Sequence, residues 1–237
     1  MQRLGVGNYT LAAVVLACVS SAAARGAPAD RSVSDVLSFA DFSVVGSSTL
    51  VRTDDGVSVH LLTTGLEPGA YTNWWIMFQH PEDCGFGPGL CGEDPGDFTP
   101  GGPAHFGFGF AAGHIVGPTG AARFASYMSE GTVLMDDNFD PVVVFEDART
   151  AEIHLIVRHH GPADPGRIPE QIHTGEFDTL GLEADVQFSV HPAPAAAGLV
   201  ASTVPEPSGL LMAAAGACVL VGAVWRRRTG CGPVRKF

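Results

Sequence analysis

The stretch Ala151-Glu152-Ile153-His154-Leu155-Ile156-Val157-Arg158 places Ile153, Leu155 and Val157 at every second position, alternating with Glu152, His154, Ile156 and Arg158. An extended chain sends successive side chains to opposite faces, so this spacing describes a strand with one buried face and one polar face. Val57, Val59 and Leu61 repeat the pattern against Ser58, His60 and Leu62, and Tyr71–Phe78 is an aromatic and apolar run. Shorter candidates lie at Phe42–Val45, Leu50–Thr53, His105–Val116, Ala121–Tyr127, Val142–Glu146 and Asp185–His191, separated by Gly, Pro and Asp. No window sustains apolar spacing at three and four residues, so the expectation is a mainly β domain over residues 30–192, built as a β-sandwich of about nine short strands.

Composition agrees with a loop-rich β protein. Only 16% of the 237 residues are charged, and there are 30 Gly and 17 Pro, which disfavours long helices or a coiled coil. The charges are also segregated: no Asp or Glu precedes Asp30, and only basic charges follow Glu206.

Both ends read as addresses. Arg3, the uncharged run Leu11–Val19 and the small residues Ser20-Ser21-Ala22-Ala23-Ala24 have the layout of a secretory signal peptide over 1–24, with cleavage after Ala24 or as late as Ala29. Its partners are the Sec translocon and signal peptidase. Residues 193–203 are a Pro/Ala-rich linker. Ser208–Trp225 is uncharged and apolar, and as a helix it rises about 27 Å, enough to cross the hydrocarbon of the inner membrane. Arg226, Arg227 and Arg228 form a basic stop that places the tail 229–237 in the cytoplasm.

Val204-Pro205-Glu206-Pro207, followed by that apolar segment and the Arg cluster, resembles the PEP-CTERM sorting signal of exported bacterial proteins, here over 204–228. The resemblance implies an exosortase-like membrane protease that recognises the Pro-Glu-Pro triplet, cuts the tail and passes the protein to the cell surface or extracellular matrix. Within the domain, Leu66-Glu67-Pro68-Gly69-Ala70-Tyr71 is similar to the turn entering a strand in fibronectin III-like and immunoglobulin-like sandwiches, which implies a Tyr71 hydroxyl tied back to the backbone. Gly65 to Cys84 is similar to a segment of copper/zinc superoxide dismutase, another sandwich. The segments Ala151–Pro162 and Glu170–Thr174 are similar to a group of uncharacterised exported bacterial proteins, which implies no activity.

Between residues 25 and 203, seven Arg and no Lys stand against 24 Asp plus Glu, a formal charge of −17. Such a body does not attract nucleic acid, whose phosphates need clustered positive charge. Cys84 and Cys91 are the domain's two cysteines, and in an exported chain a disulfide is the expectation; zinc held with His80 is the alternative.

The nine His suggest a metal centre. His154 and His160 share one strand face, and the proline-rich loop 161–172 returns to His173, so the three imidazoles, with Glu152 or Glu170, form a candidate ligand set for zinc or copper. The acidic runs Glu93–Asp97 and Asp136–Asp140 offer oxygen ligands for calcium without the EF-hand spacing. Adjacent Trp74 and Trp75 are expected to face opposite ways, the exposed one able to stack on a sugar of an exopolysaccharide. There is no Gly-x-Ser-x-Gly elbow and no phosphate-binding glycine loop. The leading expectation is an exported surface or matrix protein with a non-catalytic binding or structural role, and the alternative is a secreted metal-dependent enzyme using His154, His160 and His173.

Overall fold

A computed structural model of the chain describes residues 28–136, 138–175 and 183–194. The expected signal peptide, and the sorting signal with the apolar span expected at 208–225 and the tail after it, lie outside the described residues. Among those described, no helix is long and apolar enough to cross a membrane.

Among the described residues ten strands run β1 Asp30–Ser38, β2 Val44–Arg52, β3 Gly56–Thr63, β4 Gly69–Phe78, β5 Phe106–Val116, β6 Ala122–Ser129, β7 Val133–Met135, β8 Pro141–Val144, β9 Glu152–His159 and β10 Ala184–His191. The one α-helix among the described residues, α1, is a single turn, Ile168–Gln171. Every paired neighbour is antiparallel, and the strands form one sheet in the order β6-β3-β2-β1-β10-β9-β4-β5-β7-β8. The fold is mainly β, as the alternation required. The two-sheet division of a sandwich is not drawn by the hydrogen bonding. Instead the sheet curls until β5 meets β6: the His114 ring lies 5.9 Å from that of Phe124, and a Cβ on Gly109 would stand 2.7 Å from the Met128 methyl.

Curling gives the inward faces one shared core. Val57, Val59 and Leu61 of β3, Tyr71, Trp75 and Met77 of β4, and Ile153, Leu155 and Val157 of β9 all pack in it. Asn73 and Trp75 carry buried polar atoms without a protein partner among the described residues, close to the bulge between Asn73 and Trp74. The tyrosine corner is present: the Tyr71 hydroxyl donates to the Glu67 carbonyl at 2.8 Å, and burial pushes the phenol up to about 12.

Three strand readings needed the structure. Asp30–Ser38 alternates, but Ser32 and Ser34 stand where apolar residues would signal an inward face. Ser32 instead bonds the His191 ring (2.9 Å). The pieces Phe42–Val45 and Leu50–Thr53 contribute their inner ends, Val44–Val45 and Leu50–Arg52, to one strand, β2, running through Gly46-Ser47-Ser48-Thr49; a Cβ on Gly46 would stand 2.0 Å from the Leu62 carbonyl oxygen, so glycine is required there. Val133–Met135 is too short for any periodicity.

Candidate functional site

The most elaborated part of the domain is the connection between β4 and β5. These strands are neighbours, with Phe78 opposite Phe106, so the connection must leave and return at one place. His80 N–H donates to the Ala104 carbonyl at 3.2 Å and closes its base. Pro81–Asp83 forms a 3-10 turn, which the fixed φ of Pro81 favours at its first position. The Cys84–Cys91 disulfide follows, as expected from the exported context (S–S 2.08 Å).

Two carboxylates hold the loop from within. Glu152 of β9 is wholly buried, and its two oxygens accept from Gly89 N–H (2.5 Å) and Cys91 N–H (3.1 Å). Asp97 accepts from Gly85 and Gly92 at 2.8 and 2.9 Å. Beneath them, Phe78, Phe98 and Phe106 pack edge to face and tilted, with ring centroids 5.1 to 5.6 Å apart. Burial also raises the Glu93 carboxyl above its ordinary range, the nearby His154 opposing that and Asp97 adding to it.

On the outer side, the donor atoms of His80, Glu82 and Asp83 lie within 4.8 Å of one another. The His80 Nδ1 stands 3.4 Å from Glu82 Oε1, and the His105 ring lies edge to face against the His80 ring at 4.3 Å. His105 itself takes a left-handed conformation, φ 47°, just before β5 begins. This is the group of His, Cys and carboxylate side chains that converges among the described residues.

The three histidines singled out from the sequence are not brought together. His154 bonds Glu152 (2.9 Å) and tilts against Phe78. His160, fully buried, lies between Thr72 (2.7 Å) and Glu183 (2.9 Å). His173 bonds the Pro169 carbonyl (2.8 Å) and rests over Phe110 on β5. The reason is strand geometry: His154 is opposite Ile76 while the His160 amide bonds Ala70, and six extended residues span about 20 Å. The loop is fixed by Gln171 as well as by prolines. Its amide bonds the His160 and Pro162 carbonyls and the Asp164 N–H, and it seats Ile172 where a Cβ on Gly113 would stand 1.9 Å from the Ile172 carbonyl oxygen. Glu170 is engaged by Arg167 rather than by a histidine.

The other expected sites are also occupied by structural bonds. Asp94 and Asp136 accept backbone N–H groups of their own turns, from Gly96 and from Asn138 and Asp140. Trp75 is in the core, and Trp74, on the opposite face, is covered by Phe108, Phe110 and Phe139, so neither presents an open ring to a sugar.

Sequence reading missed a second polar set. His191 of β10 lies fully buried between Ser48 (2.6 Å) and Ser32 (2.9 Å), with Ser189 on the same Ser48 hydroxyl. Burial, reinforced by Arg52 and His154, lowers its pKa to about 3. Arg52, itself buried, donates to the carbonyls of Ala148, His191 and Pro192. The Ser-His contact has the atom types of a nucleophile pair, but Ser48 has no exposed surface, and its partners tie β1, β2 and β10 together.

The domain is thus an internally braced β body followed by a distinct C-terminal segment. Residues 203–228 match the PEP-CTERM protein-sorting motif, which includes Pro205-Glu206-Pro207 and Arg226–Arg228. The chain carries a PEP-CTERM sorting signal. No curated protein matches it. The PEP-CTERM signal marks an exported chain that is membrane-anchored during sorting, with an exosortase-type protease as its processing partner.

Proposed function

We propose that this is an exported surface or extracellular-matrix protein whose domain 30–192 has a non-catalytic binding or structural role, and whose tail is a temporary anchor. The signal peptide brings the chain to the Sec translocon and signal peptidase. The apolar segment 208–225 then stops in the inner membrane against Arg226–Arg228, which holds Pro205-Glu206-Pro207 at the membrane surface within reach of an exosortase-type enzyme.

The observation that carries the reading is the sorting motif over 203–228. The domain supports it. The disulfide suits an oxidising compartment, and the buried Glu152, Asp97, Gln171 and His191 all bond backbone or neighbouring side chains. Replacing Pro205, Glu206 and Pro207 together by Ala is expected to leave full-length protein in the membrane fraction. Processing at the wild-type rate, followed by immunoblot, would overturn the sorting role.

A further inference from the structure

We propose that His80, Glu82, Asp83 and His105 form a surface site for a divalent transition metal, zinc in the first instance, which clasps the β4 exit to the β5 entry. Four features carry it. Three potential ligands sit on one turn, His80-Pro81-Glu82-Asp83, with their donor atoms already within 4.8 Å of one another. The turn is anchored at both ends, by the His80 N–H to Ala104 bond before it and by the Cys84–Cys91 disulfide after it. A second imidazole, His105, arrives from the opposite end of the connection with its ring 4.3 Å from that of His80. The chemistry is also selective. Two imidazoles with two carboxylates are a nitrogen and oxygen set that suits zinc, whereas carboxylates alone would suit calcium or magnesium.

His80 and His105 now meet at 85° between ring planes. A turn about the His105 side-chain torsions aims one of its nitrogens at the space shared by His80 and the carboxylates. His105 is exposed, so little packing opposes that turn. Once bound, the metal adds a link between the two strand ends, parallel to the backbone bond beneath it. The site is independent of the sorting reading, because it rests on the described domain alone.

The test is zinc titration of the purified full-length chain in detergent, with a chromophoric chelator as competitor. One zinc per chain is expected with a dissociation constant below about 100 μM. His80→Asn combined with His105→Asn should weaken binding at least about tenfold, while His173→Asn, which removes an exposed imidazole elsewhere, should leave it unchanged. Circular dichroism and an intact disulfide by mass confirm that each variant is folded. X-ray absorption at the zinc edge should show only nitrogen and oxygen neighbours at about 2.0 to 2.1 Å. The proposal is overturned by no binding up to that concentration, by equal affinity in the double variant, by an equal loss in His173→Asn, or by sulfur neighbours, which, with the Cys84–Cys91 disulfide intact, would assign the metal to Cys18, Cys218 or Cys231.

Discussion

Glu152 belongs to the strand face expected to be polar and open, yet it is completely buried, because the disulfide loop folds down over the end of β9. Burying a carboxylate is costly unless its oxygens find donors, and here Gly89, Cys91 and His154 supply them. One side chain therefore fixes the loop to the sheet. Glu152→Gln keeps the shape but presents an N–H group where an acceptor is needed, so one of the two loop amides loses its partner. The expected cost is about 1 to 3 kcal/mol in chemical unfolding, with faster hydrogen exchange at Gly89 and Cys91 than elsewhere in the domain. Uniform exchange across the domain, or unchanged stability, would show that the loop is held by other means.

The connection 79–105 has little regular structure, and its order comes from cross-links: the disulfide, Glu152, Asp97 and the Phe78–Phe98–Phe106 cluster. With seven residues of sequence separation, the disulfide removes loop-closure entropy from the unfolded chain worth about 2.5 kcal/mol. Cys84→Ser with Cys91→Ser should lower the thermal midpoint accordingly and admit protease between Gly85 and Ala104 while β9 stays protected. No new cleavage and an unchanged midpoint would place the loop's stability entirely in its other bonds. Elements such as β9 were legible in the sequence because a buried face imposes period two. Asp30–Ser38 was not, because Ser32 and Ser34 precede Val36 on its inward face, and Ser32 is there to meet His191. The site was less legible than the strands. His154, His160 and His173 are close in sequence but spread along a strand and its loop. His80 and His105 are far apart in sequence and adjacent only because β4 and β5 pair. The pairing of consecutive strands across a disulfide loop was the one signal that could have joined them.

For the whole molecule, acid is the informative perturbation, since His191 couples three neighbouring strands and must stay uncharged to do so. Its Ser48 and Ser32 partners carry no negative charge, and burial with the Arg52 guanidinium nearby holds its folded pKa at about 3 against about 6.5 for a free imidazole. Between those values the unfolded chain binds a proton that the folded chain refuses, so stability is complete above pH ~6.5 and declines as the pH falls towards 3. His159, whose pKa burial also lowers, acts in the same direction. For His191 alone, the loss between pH 7 and 4.5 is about 2 to 3 kcal/mol. His191→Gln retains hydrogen-bonding capacity and cannot titrate. Its stability at pH 7 should be lower than wild type, but its further loss on going to pH 4.5 should be smaller by about that amount. Urea unfolding of both proteins at the two pH values separates the effects: parallel losses would mean that the acid response arises from the carboxylates of this acidic body and that His191 is a neutral spacer between its serines.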